Sequence, residues 1–228
     1  MDQHPLDNPV WNALGGRDVP FGVAAGPFRR YHPEIARFVA AEGPEELAHL
    51  ADALPIGAEA VLITTGAIAT PPGFNLVASR PLYHMVAVRA QLQPVTARLV
   101  PLTAAHVAEM MALVDLTKPG PFFRRTIEFG GYLGIFDGDR LVAMAGERKH
   151  VEQFSEVSAV CTHPDYRGRR YARQLVSAVA GGIVGRGEIP FLTTFTDNVT
   201  AIRTYEALGF EIRRPMHVTF VKRSAEEV

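Results

Sequence analysis

Apolar and polar residues alternate most clearly in the second half of the chain. Two apolar runs, Tyr132 to Phe136 and Arg140 to Gly146, flank Asp137-Gly138. Asp-Gly between two such runs is typical of a β-hairpin, because both residues tolerate positive φ. The same pattern predicts further strands at Arg98 to Leu102, Glu156 to Cys161, Ile189 to Thr194, Phe210 to Arg213 and His217 to Lys222.

Three helices are predicted between these strands from apolar residues at helical spacing. The first begins after Thr103, a residue type that caps helices, and the second carries an apolar stripe over Ala172 to Ile183. The third is capped by Asp197 or Asn198 and ends at Gly209. The order of strands and helices predicts an α/β (α+β) protein with a mixed sheet covered by helices.

Prolines punctuate the first part of the chain, where 12 of the 17 occur within 101 residues. Short elements joined by loops are expected there. The predicted elements are a strand at Glu34 to Ala40, a helix at Pro44 to Leu54, and strands at Ala60 to Thr65 and Leu82 to Val88. Pro94 interrupts the pattern, so we expect a smaller N-terminal α/β subdomain over residues 1–95 and a second domain over residues 96–228.

Composition excludes several classes of protein. The 228 residues are 47% hydrophobic and 21% charged with a net charge of -1, which excludes a disordered chain and disfavours nucleic acid as a partner. The longest uncharged run, residues 60–79, is broken by prolines and glycine, so no membrane span is expected. One cysteine and no basic-apolar leader predict a cytoplasmic protein, and eight scattered histidines predict no metal site.

The segment Arg167-Gly168-Arg169-Arg170-Tyr171-Ala172 is the clearest candidate for chemistry. It lies between a predicted strand and the first turn of a predicted helix, where free N–H groups and the helix dipole favour an anion. A phosphate-binding loop is one interpretation, and a solvated basic helix start is the other.

The same residues, read from His163 to Ala172, resemble the acyl-CoA signature of the GCN5-related N-acetyltransferases. Arg167 and Ala172 match the two ends of that signature, while Arg170 stands where glycine is usual. The segment Thr196-Asp197-Asn198, with Ala201, Tyr205 and Leu208-Gly209-Phe210 after it, is similar to the family's second motif. The resemblance covers about residues 97–222, and Val160 to Pro164 resembles the FR47-like subgroup. The N-terminal part lies outside it, although it is interpreted as a degenerate half of the same type.

The resemblance implies acetyl-CoA as the cofactor, held by Val160, Cys161, Thr162, the loop Arg167, Gly168, Arg169, Arg170, Tyr171, Ala172, and by Asn198, Ala201 and Tyr205. The N–H of Val160 or Thr162 would polarise the acyl carbonyl. Asn198, Ala201 and Tyr205 share one helical face, which the family turns toward the cofactor, and the resemblance implies that Tyr205 is the acid for the leaving thiolate. Arg170 is expected to begin the helix in ordinary helical geometry.

Glu156 is the candidate base, because some family members carry a glutamate at this strand position, and Glu147 is the reserve. Either carboxylate can instead be a binding or solvated group. Phe122, Phe123 and Arg125 follow the first helix, where the family shapes its acceptor pocket, and they are the tentative substrate-binding residues together with Glu147.

The expected function is transfer of an acetyl group from acetyl-CoA to a primary amine of a small molecule, by direct attack in a ternary complex. The alternative is a non-catalytic acyl-CoA-binding regulatory module. Nucleic-acid binding through the arginine cluster is disfavoured by the balanced charge and the lack of interleaved aromatic residues. A homodimer is left open.

Overall fold

The computed structural model describes residues 4–225, in which two β-sheets are accompanied by four α-helices and several short 3-10 turns. The helices are α1 (Pro9–Leu14), α2 (Val107–Thr117), α3 (Tyr171–Gly185) and α4 (Val199–Glu206). The strands are β1 (Gly22–Ala25), β2 (Phe28–Tyr31), β3 (Val39–Ala40), β4 (Glu59–Thr64), β5 (Phe74–Val86), β6 (Val100–Pro101), β7 (Leu133–Asp137), β8 (Arg140–Val151), β9 (Phe154–Thr162), β10 (Ile189–Phe195) and β11 (Glu211–Arg223). No helix within residues 4–225 has the length and apolar character needed to cross a membrane.

Eight strands form one large, mostly antiparallel sheet in the order β4-β11-β5-β10-β9-β8-β7-β6. The pair β9 and β10 is parallel, and the other neighbours are antiparallel. Strands β1, β2 and β3 make a separate small antiparallel sheet. The predicted fold class, a mixed and largely antiparallel sheet flanked by helices, is confirmed.

Helices cover both faces of the large sheet, because β8 presents apolar residues alternately to either side. Met144 packs with the fully buried Met110 of α2, whereas Ala143 and Ala145 pack with the buried stripe of α3. The predicted hairpin at Asp137-Gly138 joins β7 to β8, and Gly138 has φ +58°. This packing fixes β9, the strand that carries Glu156 and the candidate residues Val160 to Thr162.

Two expectations for the fold are corrected. The predicted strand at Glu34 to Ala40 is wrong over most of its length, because the chain turns at residues 32–36 and only β3 is extended. The predicted helix at Pro44 to Leu54 is present over Glu45–Ala53, as a 3-10 helix. The two strands predicted at the carboxyl end are one strand, β11, which runs through Pro215. Proline is tolerated there because β4 pairs with β11 only from His217 onward, which leaves one side of Pro215 as a sheet edge.

The large sheet runs across the division proposed near residue 95. Strands β4 and β5 come from the first 95 residues, yet β5 lies between β11 and β10, which come from the second part. The two-part division of the chain therefore stays a prediction, and the two parts share one sheet.

Candidate active site

A cavity of about 190 Å³ opens beside β9 and β10. Its lining comes from both parts of the chain: Phe38, Val61, Ile63 and Leu82 from the first, and residues of β9, β10, α4 and β11 from the second. The loop Pro119 to Phe122 borders it as well. The N-terminal part, which the sequence resemblance did not cover, thus supplies one wall of the candidate site.

The strands β9 and β10 separate at the cavity. Their parallel pairing ends at Glu156 and Phe191, and the lining residues on β9 follow directly after this point. Ala159 has φ +52°, and the register between β8 and β9 shifts beside it, which is a β-bulge.

Backbone N–H groups on β9 are left free by this separation. The N–H of His163 donates to the carbonyl of Val142 on β8 at 2.8 Å. Since N–H groups alternate in direction along a strand, those of Thr162 and Val160 face away from β8 and toward the gap. Val160 also lines the cavity. Both expected carbonyl-polarising groups are therefore positioned at the opening between the strands.

The basic loop directly precedes α3. Gly168 has φ +80°, and a Cβ built on it would meet no atom within 4 Å, so the backbone there is open to an approaching ligand. Arg167, Arg169 and Arg170 are exposed around it. The first N–H groups of α3 have no helical acceptors, which suits a pyrophosphate. The residues present fit the acyl-CoA phosphates.

Arg170 departs from the expected geometry. It was expected to begin α3 in helical conformation, but it is the residue before the helix, with φ +62° and ψ +19° in the left-handed region. The family's glycine at this position has a plain physical reason, since glycine adopts positive φ without steric cost. Arg170 adopts the same left-handed conformation, at a steric cost that glycine would not have.

Tyr205 lies on α4 and lines the cavity together with Asn198. Asn198 caps the helix by accepting from the N–H of Ala201 at 3.2 Å, which decides between the two predicted caps. The Tyr205 side chain is buried against the core, and burial raises the pKa of its hydroxyl to about 12. The phenol is therefore protonated at neutral pH, as a proton donor must be.

Glu156 is fully buried and does not line the cavity. Its carboxylate accepts from Arg148 Nε at 2.8 Å and from Lys149 Nζ at 2.6 Å, and from the hydroxyl of Thr193 at 3.2 Å. Burial alone would raise its pKa, but the two cations outweigh burial and hold the pKa far below the usual range. A carboxylate so strongly stabilised and covered is poorly suited to remove a proton from a substrate amine.

Sequence and structure comparisons agree on the family. Residues 132–220 match the family model described as FR47-like protein. A crystal structure from Novosphingobium aromaticivorans, described as a GNAT-family acetyltransferase, is 40% identical, covers 98% of this chain and 100% of that chain, and superposes with a TM-score of 0.89. The chain belongs to the GCN5-related N-acetyltransferase (GNAT) family.

More distant matches support the GNAT fold. A GCN5-related N-acetyltransferase from Kribbella flavida is 16% identical over 96% of this chain and 97% of that chain, with a TM-score of 0.61. An uncharacterized protein of Mycobacterium leprae is 32% identical over 162 residues, which are 64% of this chain. The match spans 44% of that relative, so the chain corresponds to less than half of its length.

Of the four tentative substrate-binding residues of this GNAT protein, one lines the cavity. Phe122 lines it, but Phe123, Arg125 and Glu147 do not. Arg125 binds Glu128 at the surface, and Phe123 packs under a guanidinium 4.7 Å from its ring. Glu147 is buried and paired with Arg186 at 2.6 Å.

Glu147 is therefore buried and paired in the same way as Glu156. Burial acts to raise its pKa, but the bond to His150 and the ion pair with Arg186 lower it.

Cys161 is buried beside α2, and burial raises the pKa of its thiol to about 11. Only its backbone is suited to the cofactor role.

Phe38, Tyr132 and Arg148 are among the residues of the cavity wall that sequence reasoning missed. Tyr132 packs so closely on β8 that a Cβ at Gly146 would lie 2.3 Å from its ring, so that glycine is required. The neighbouring pair Arg148-Lys149, which follows the apolar run from Leu141 to Gly146, was the available signal, since two cations on one buried strand need a partner. No such signal pointed to Phe38, because its position at the cavity depends on a turn that the hydrophobic pattern did not predict.

Proposed function

We propose that this GNAT member is an acyl-CoA-dependent N-acetyltransferase that acetylates a primary amine of a small molecule by direct attack in a ternary complex. The supporting observation is the cavity itself, which joins the gap between β9 and β10 to a wall made by the N-terminal part. A thioester at the gap and an amine in the cavity would meet without a covalent enzyme intermediate. Acetyl-CoA supplies the activated acyl group.

Three features of the chain carry out the separate steps of the proposed acetyl transfer. The loop from Arg167 to Ala172 binds the pyrophosphate through backbone N–H groups and its arginines. The N–H groups of Val160 and Thr162 donate to the acyl oxygen and stabilise its developing negative charge. Tyr205 donates its proton to the sulfur as the C–S bond breaks and the C–N bond forms.

The proton of the amine must leave by another route than Glu156. Among residues 4–225, no carboxylate or histidine lines the cavity. We infer that the amine reacts from its neutral form and releases its second proton to water. Glu156 is then a positioning residue that holds Arg148 and Lys149, and the base role expected for it, or for Glu147, is not part of this proposal.

Release of CoA thiol from acetyl-CoA, measured across a panel of amino acids, polyamines, aminoglycosides and peptide amines, tests the proposal. The expected result is amine-dependent release, together with a melting temperature that acetyl-CoA raises and that NAD and ATP do not. Stabilisation by acetyl-CoA without turnover of any amine would favour the alternative, a non-catalytic acyl-CoA-binding regulatory module. A cytoplasmic location and a homodimer stay predictions.

A further inference from the structure

The acceptor cavity carries one uncompensated positive charge. Arg148 is the one charged side chain among the described residues that line it. Its Nε and Nη2 donate to Glu156 at 2.8 and 3.1 Å, while Nη1 makes no hydrogen bond to any of residues 4–225. One guanidinium nitrogen is therefore available to a ligand.

Glu156 cannot neutralise this charge alone, because it is shared. Lys149 donates to the same carboxylate at 2.6 Å, and both of these side chains are fully buried. The other buried carboxylates nearby, Asp18 and Glu147, are held by other cations. Two cations thus face one anion, and Arg148 is the member of this group that reaches the cavity.

A second donor without a partner belongs to Tyr132, which also lines the cavity. The hydroxyl of Tyr132 is buried and has no hydrogen-bond partner within the described part of the chain. Burial raises its pKa, and Arg148 is close enough to oppose that rise. A buried hydroxyl without an acceptor is unfavourable, and an anionic ligand would remove that penalty. Two unused donors near each other, one of them charged, are the recognition elements of a carboxylate.

The remaining wall combines apolar residues with neutral polar ones such as Thr193 and Asn198. Its apolar part includes Phe38, Ile63 and Val218, together with Phe122, which meets the Tyr132 ring edge-on at 5.8 Å. We propose, on the basis of the function proposed above, that the acceptor is an amino acid with an apolar side chain. Its carboxylate binds Arg148 and Tyr132, its side chain packs on the apolar part of the wall, and its amine faces the gap at Val160.

Matched acceptors test the carboxylate directly. We would measure kcat/KM for L-phenylalanine and L-leucine against 2-phenylethylamine and 3-methylbutylamine, which keep the apolar body and lack the carboxylate. The expected preference for the amino acids is about 30-fold or more, the size of a hydrogen bond to a charged group. An equal or better rate with the amines that lack a carboxylate overturns the proposal.

Variants of the cavity residues test which side chains cause the preference for amino acids. Tyr132→Phe keeps the ring and is expected to lower kcat/KM for the amino acids about tenfold, mainly through KM, with little change for the simple amines. Arg148→Gln should abolish the preference. Arg98→Gln, at an exposed arginine that does not line the cavity, is the charge control. If Arg148→Gln does not fold because Glu156 loses one of its two cations, Tyr132→Phe alone decides, and an unchanged preference in it refutes the proposal.

The experiments distinguish a failure of the proposed function from a failure of the amino-acid proposal. Loss of the melting-temperature shift with acetyl-CoA would reject the cofactor. A normal shift with acetylation of neither compound set would reject the amino-acid acceptor and leave cofactor binding intact.

Discussion

Arg170→Gly is expected to stabilise the protein, because Arg170 holds a left-handed conformation ahead of α3. That conformation costs an L-residue about 1–2 kcal/mol. Glycine removes this cost but loses about 0.5–1 kcal/mol through the greater freedom of the unfolded chain. The net gain is about 0.5–1 kcal/mol, which corresponds to a rise in melting temperature of about 1–4 °C for a chain of this length.

Two further variants separate backbone strain from side-chain charge. Arg170→Ala removes the charge and keeps the strain, so its melting temperature should stay near that of the wild type. Gly168→Ala places a Cβ in open space at φ +80°, and should lower stability by about 1 kcal/mol through conformation alone. Thermal unfolding of all three at one pH is the measurement.

The reasoning is refuted if Arg170→Ala stabilises as much as Arg170→Gly, since charge repulsion among the arginines would then be the cause. Binding gives a second check. Because the N–H of residue 170 is present in either variant, acetyl-CoA affinity in Arg170→Gly should stay within about tenfold, or about 1.4 kcal/mol, of the wild type. A hundredfold gain would mean that the arginine damages the phosphate loop.

Three further outcomes follow from the site and the buried charges. Tyr205→Phe should lower kcat with little effect on acetyl-CoA affinity, and an unchanged kcat with chemistry rate-limiting would exclude the acid role. Glu156→Gln should cost about 3–5 kcal/mol in chemical denaturation, because it leaves two cations unpaired in the interior, and a loss under 1 kcal/mol would contradict that. Burial disfavours charge on His150, but its bonds to Asp18 and Glu147 prevail and raise its pKa to about 9. Its stabilising contribution is complete below the unfolded pKa of about 6.5 and lost as pH rises to 9, so His150→Gln should flatten stability over that window.

The residues that sequence could locate are those whose role depends on local chain geometry. The hairpin at Asp137-Gly138, the cap at Asn198 and the loop before α3 depend on neighbours a few residues apart, and the structure has all three. The surroundings of Glu156 could not be predicted, because its partners, Arg148 and Lys149, lie on the adjacent strand, and a pairing between strands is not visible in a single run of residues.

The cavity wall was the least accessible to prediction, because it is assembled from residues far apart in the chain. Phe38, Val61 and Phe220 meet there only after the sheet has formed. The conformation of Arg170 was missed for a different reason. Helix propensity favours arginine over glycine within a helix, but the position lies one residue before the helix begins.

The placement of β5 between β11 and β10 has a consequence for synthesis. When β5 leaves the ribosome, neither of its neighbours has been made, and β11 follows it by more than a hundred residues. Strand pairings between residues so far apart in the chain slow folding, and the edges of β5 stay unpaired until its partner strands have been made. A chain stopped before β11 would lack the strand that joins β4 to the sheet and carries Val218 and Phe220, so the cavity can form only after β11 has been made.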